Sequence, residues 1–115
     1  MLLLATALPR NWPDGLSAAF PKGTKLRDAV AAVTQRHAPI AHLFGAGVGF
    51  KLMLLESELL IEILLRLYSQ GVTALPLHDS VLVAGSEVGP AEEAMMAAFQ
   101  HWTGGVRAVV KTTFA

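Results

Sequence analysis

The sequence predicts an α+β fold: a small antiparallel sheet, made of a β-hairpin plus an edge strand, packed against two or three helices. Three observations predict it. A long helical periodicity over about residues 52–69 stops at Gly71. Two short apolar runs in ALPLHDSVLV, Ala74 to Val83, are parted by one polar triplet. A further helical stretch then leads, through Gly104-Gly105, into an alternating segment at residues 106–113.

Residues 1–23 read as an irregular leader, disordered or packed, because Asn11-Trp12, Asp14-Gly15, Lys22-Gly23 and several prolines are turn signals. Its apolar start has no basic residue before Arg10, which argues against a signal peptide and makes the cytoplasm the expected compartment. Residues 24–115 read as a single domain. Thr24 is placed to cap a helix carrying Leu26, Ala29, Val30 and Val33, which should end near His37-Ala38 because Pro39 disfavours helix in the residue before it. Another turn or two is expected between Ile40 and Phe44. Gly45-Ala46-Gly47-Val48-Gly49 lacks the spacing, the preceding strand and the Lys-Ser/Thr pair of a phosphate loop, so it reads as a helix-to-helix link.

In the long helix, Leu59, Leu60, Ile63, Leu64 and Leu67 form the apolar face, and Glu62 and Arg66 are spaced as an ion pair. Gly71 suits the position just past its end. Val72 to Leu77 and Val81 to Ala84 have strand character, with Pro76 limiting the ladder on the first strand. Pro90 suits the first position of the next helix, Glu92 and Glu93 its first turn, and Ala94, Met95, Ala98, Phe99 and Trp102 its covered face. In the last segment Val106, Ala108 and Val110 alternate with Arg107, Val109 and Lys111, the pattern of a half-buried edge strand.

Composition narrows the function. Hydrophobic residues make up 53% of 115, charged residues only 16%, and mean hydropathy is +0.49. Soluble domains average about 25% charged residues, so this chain carries surplus apolar surface and points to self-association or to a partner chain. Its apolar runs are interrupted by Glu56, Glu58 and Glu62, too short to span a membrane. Nine basic and nine acidic residues give no net field to draw in nucleic acid. The absence of cysteine excludes disulfides, thiol catalysis and Cys-type zinc sites.

His78-Asp79-Ser80 stands out as a carboxylate at a hairpin tip between an imidazole and a hydroxyl. An aspartate in a turn often does no more than bond the local backbone. The order around this one, however, is specific. The helix ESELLIEILLRLYSQG, the hairpin VTALPLHDSVLVAG, the helix PAEEAMMAAFQHWTGG and the strand VRAVVKT resemble the C-terminal palm segment of family-A DNA polymerases and single-subunit phage-type RNA polymerases. In that family a long helix feeds a hairpin whose turn reads His-Asp-Glu or, in the RNA enzymes, His-Asp-Ser.

The resemblance covers about half the chain and implies a palm-like, phage-derived nucleotidyltransferase element. It implies that Asp79 is a ligand for catalytic Mg²⁺ or Mn²⁺ and that His78 lies near the primer terminus. It further implies nucleic-acid contact from Ser80 and from Glu56 and Ser57 on the long helix; Arg107 and Lys111, charged on one face of the last strand, are candidates for phosphate contact. The expected partners are a primer–template and another polymerase chain or a second copy. A cap is the simpler reading of Glu56-Ser57, and solvated edge charges that of Arg107 and Lys111.

The family needs a second aspartate on an earlier strand and a fingers helix with Arg, Lys and Tyr, and this sequence has neither. The expectation is a fragment or reduced relative that is inactive alone. Two other readings compete. One is a catalytically silent assembly module on the same scaffold. The other is a metal-dependent phosphohydrolase using His37, His42, His78 and Asp79, weakened by Pro39 between the first two and by strand-like runs around the pair.

Overall fold

A computed structural model describes all 115 residues. In chain order the helices are α1 (Leu26–Arg36), α2 (Gly49–Ser69) and α3 (Val88–Thr103), with β1 (Leu75–Leu77) and β2 (Ser80–Leu82) between α2 and α3. Short 3₁₀ segments lie at Leu16–Ala19, Ala38–Leu43 and Gly85–Glu87. The α+β class expected from the sequence is present, with a sheet of two strands. Two compact units divide within α2, Met1–Leu52 and Met53–Ala115.

In the first unit, α1 starts one residue later than expected, with Lys25 as its cap. The Thr24 hydroxyl instead donates to the Pro21 carbonyl at 2.7 Å, because the chain turns there before entering the helix. The apolar start is packed. Amides of Gly45, Gly47 and Gly49 donate to the carbonyls of Leu2, Ala5 and Leu3 at 2.9, 2.7 and 2.7 Å. A Cβ on Gly49 would meet Leu4 Cδ2 at 2.6 Å and the Leu3 carbonyl at 3.0 Å, so a bare backbone is what permits this approach. The first residues thus belong with the glycine-rich link, which explains why the units do not divide after residue 23. Trp12 and Phe20 pack with ring centroids 5.0 Å apart and planes tilted by 48°.

The second unit holds the main core. Ile63 and Leu67 of α2, Val72 after it, and Ala91, Ala94 and Ala98 of α3 are buried together, with Leu59, Ala74, Val81, Val83 and Met95 packed around them. The alanines fall at helical spacing on one face, and their small side chains leave room for the larger aliphatics of α2. Helix α2 ends where Gly71 adopts φ 72. The Val72 amide then donates to the Leu67 carbonyl and the Gly71 amide to Tyr68, both at 3.0 Å. Val72 and Leu67 pack together across this closure, the usual companion of such a cap. Val72 is therefore spent on ending the helix, and β1 begins only at Leu75.

Helix α3 begins at Val88, two residues before the expected start, so Pro90 is its third residue and Glu92 and Glu93 lie beyond the first turn. Met95, Met96 and Phe99 are half-buried, whereas Trp102 is exposed.

The expected edge strand at 106–113 does not form. Gly104 and Gly105, with φ 70 and 106, turn the chain back along α3. The Thr112 hydroxyl then donates to the Glu92 carboxylate. These two anchors hold the segment across a cleft of about 340 Å³ whose lining includes Val81, Val83, Val88, Met95, Val110 and Phe114, so no ladder to β2 closes. The alternation survives only in part without the ladder: Ala108 and Val110 are half-buried and Val109 is 99% exposed, but Val106, expected to face inward, is exposed as well.

Candidate functional site

The hairpin that carries the triplet is short and antiparallel, with Leu75 opposite Leu82, Pro76 opposite Val81 and Leu77 opposite Ser80. That register leaves His78 and Asp79 as the two residues of the turn. One face is covered through Val81 and, beyond the strands, Ala74 and Val83. On the other, Leu75, Leu77 and Leu82 are exposed. Three-residue strands cannot spread far enough over α2 and α3 to bury both faces.

The turn is shaped by its own residues. His78 has φ 53, in the left-handed region that histidine tolerates better than most side chains but still at a cost. The Ser80 hydroxyl donates to the Leu77 carbonyl at 2.7 Å and closes the turn from within. Ser80 thus has a structural partner. His78 and Asp79 are exposed at the tip with side chains open to solvent.

If the left-handed residue costs what such residues usually do, His78→Gly will be neutral or stabilising by up to about 1 kcal/mol. His78→Val, β-branched, will destabilise by about 1–2 kcal/mol. Urea midpoints of the two variants test this, and a lower midpoint for glycine than for valine would contradict it.

Glu56 and Ser57 are exposed but lie in the second and third turns of α2, which begins at Gly49, so neither caps it. The Ser57 hydroxyl donates to the Met53 carbonyl at 3.0 Å within the same helix. Arg107 and Lys111 are exposed on the segment that follows α3. No three His, Asp or Glu side chains converge within Met53–Ala115 as a metal-holding group. Asp79 offers a single carboxylate, and a hard divalent cation takes six or more oxygens. The residues of Met53–Ala115 alone therefore do not fit a catalytic Mg²⁺ or Mn²⁺ centre.

One polar cluster was not expected from the sequence. Glu62 Oε1 lies 3.2 Å from Arg66 Nη2 and 2.9 Å from His101 Nδ1, tying α2 to the last turn of α3. The spacing of Glu62 and Arg66 showed in the sequence, but His101 is 39 residues away and joins them only when α3 folds back. Partial burial works to raise the Glu62 pKa. Hydrogen bonds from Arg66 and His101, with their charges, outweigh it and hold the carboxyl below the usual carboxylate range.

A carboxyl with a lowered folded pKa adds stability above its unfolded value, and that stability fades as pH falls through the folded one. Glu62→Gln is accordingly expected to lose up to about 1 kcal/mol at neutral pH and to show a flatter urea midpoint between about pH 5 and 3. Parallel midpoint profiles for the two proteins would contradict this.

Fold and site together define a small α+β unit presenting an aspartate on a hairpin turn between two helices. Comparison of the chain with protein-family models, curated proteins and solved structures finds no match. No helix is long and apolar enough to cross a membrane.

Proposed function

We propose that this chain is a fragment or reduced relative of a family-A-type nucleic acid polymerase palm. In this reading Asp79 is a retained ligand for a divalent metal whose remaining ligands come from another chain, and the protein does not transfer nucleotides by itself. The observation that carries the reading is the setting of Asp79. It stands open at the tip of an antiparallel hairpin, entered from a 21-residue helix and left towards a 16-residue helix. That order repeats the order of the quoted sequence resemblance. His78 and Ser80 flank the carboxylate, and Arg107 and Lys111 are exposed for phosphate contact. The substrate in this reading is a primer–template.

Two measurements test it. The purified chain is expected to give no primer extension with Mg²⁺ or Mn²⁺; extension would overturn the claim that it is incomplete. Paramagnetic Mn²⁺ is expected to broaden amide resonances around residues 77–80 first, and Asp79→Ala to abolish this while leaving the urea midpoint unchanged. Broadening spread evenly over the other carboxylates would remove the metal-ligand reading.

A second reading, a catalytically silent assembly module, is favoured by the exposed Leu75, Leu77 and Leu82 on the outer face of the hairpin. It gains if Asp79→Ala changes neither Mn²⁺ binding nor primer–template binding.

A further inference from the structure

The even balance of charge over the chain conceals a division. Met1–Leu52 holds six of the nine cations and two of the nine carboxylates, a net charge of +4 with histidine neutral. Met53–Ala115 holds the other three cations and seven carboxylates, a net charge of −4. At physiological salt the Debye length is about 8 Å, so a charged ligand responds to the surface it touches rather than to the sum over the chain. The neutral total therefore includes one strongly basic unit, and a polyanion is the partner whose charge complements it.

The cations of that unit are open to a ligand. Arg10, Lys22, Lys25, Arg27, Arg36 and Lys51 are all exposed, and of the six only Arg27 has an ion-pair partner, Asp28 at 3.5 Å. That pair lies in solvent, with side chains 78 and 63% exposed, so water and salt weaken it. The six come from the leader, the turn before α1, both ends of α1 and the start of α2. So distributed, they suit a long chain of repeated phosphates better than one compact anion.

Two observations choose nucleic acid over an anionic membrane. Phe50, 67% exposed, stands next to Lys51, and rings combined with cations are what single strands stack on and follow. Helix α1 has its apolar residues Leu26, Ala29, Val30 and Val33 buried or half-buried, so it offers a bilayer no apolar stripe beside its cations.

We propose that the Met1–Leu52 unit binds a single-stranded nucleic acid through its phosphate backbone. The inference does not rest on the reading of Asp79, because it needs neither a metal nor the hairpin. It puts the main backbone contact away from Arg107 and Lys111, which belong to the unit of opposite sign.

Fluorescence anisotropy of the full chain with a labelled oligothymidylate of about 16 nucleotides, in EDTA and across a salt series, tests this. The unmodified chain is expected to bind at about 50 mM salt and to lose affinity steeply as salt rises. Lys22→Gln, Lys25→Gln and Arg27→Gln together should lower the affinity at least about tenfold and reduce the log–log salt slope by about 2. The three side chains are exposed, and Lys25 makes no side-chain bond at the start of α1, so the fold survives the change. Arg107→Gln with Lys111→Gln should leave the slope within about 0.5 of its original value. Phe50→Ala is expected to weaken binding at least about fivefold with the slope unchanged.

The proposal is overturned by no binding at the lowest salt, by a larger loss from the Arg107 and Lys111 pair than from the first three, or by full affinity in Phe50→Ala. Displacement of the oligonucleotide by phosphatidylserine vesicles more readily than by unlabelled oligonucleotide overturns it too. Loss of the Mn²⁺ effect at residues 77–80 with oligonucleotide binding intact would remove the metal reading alone, so the two fail separately.

Discussion

Leu67→Ala is expected to destabilise the second unit by about 3–5 kcal/mol, enough to unfold much of it at room temperature. Leu67 is fully buried, with 0% exposure, and is the largest side chain in the protein covered to that extent. It touches the core from α2 and also receives the helix-closing bond from Val72 on its carbonyl. Removing its side chain leaves a cavity between α2 and α3 and strips Val72 of its packing partner. The neighbours on α3 are alanines, whose short side chains cannot lean in to refill the space. Thermal or urea unfolding followed by circular dichroism reads the effect. A loss below about 1 kcal/mol would mean that the core does not depend on this residue.

The second large effect runs the other way in volume. Ala98→Leu is expected to cost about 1–3 kcal/mol or more, although leucine is a better hydrophobe and a good helix former. Ala98 has 0% exposure and belongs to the buried cluster with Ile63 and Leu67. Three further carbons there must push α3 away from α2. The same movement would separate His101 from Glu62, now 2.9 Å apart, so the overpacked variant should also lose the acid-dependent stability assigned to that carboxyl. A control at the exposed Gln100, changed to Leu, should be nearly neutral in stability. Equal unfolding midpoints for the two leucine variants would show that the helices have slack between them.

The outcome for each element follows from how local its determinants are. Helix α2 was legible to its end because Gly71 and the Leu59–Leu67 periodicity lie within one stretch of chain. It begins at Gly49, three residues before its periodicity indicates, since the hydrogen bond from Gly49 to Leu3 depends on a segment more than forty residues away. The hairpin turn was legible from ALPLHDSVLV, but its strands came out shorter because Val72 serves the helix cap first. The segment at 106–113 shows the limit of alternation as a signal. Its inward and outward pattern holds at Ala108–Val110 and fails at Val106, and Gly104, Gly105 and the bond from Thr112 to Glu92 decide what it lies against.

At the site, the position of Asp79 on a turn could be read from neighbouring residues. The exposure of Leu75, Leu77 and Leu82 could not, because apolar side chains give no sign in sequence of whether anything covers them. The cluster of Glu62, Arg66 and His101 needed the return of α3 to bring its third member into place.

The hairpin tip has one more consequence. Its shape is determined within Leu77–Ser80, by the left-handed His78 and the hydroxyl of Ser80 on the carbonyl of Leu77. None of those determinants lies in the helices or in any other chain. A device so self-contained keeps the aim of its carboxylate when the sequence around it drifts, is truncated or is joined to something new. Heredity can hand it on as one piece, whatever the rest of the chain becomes.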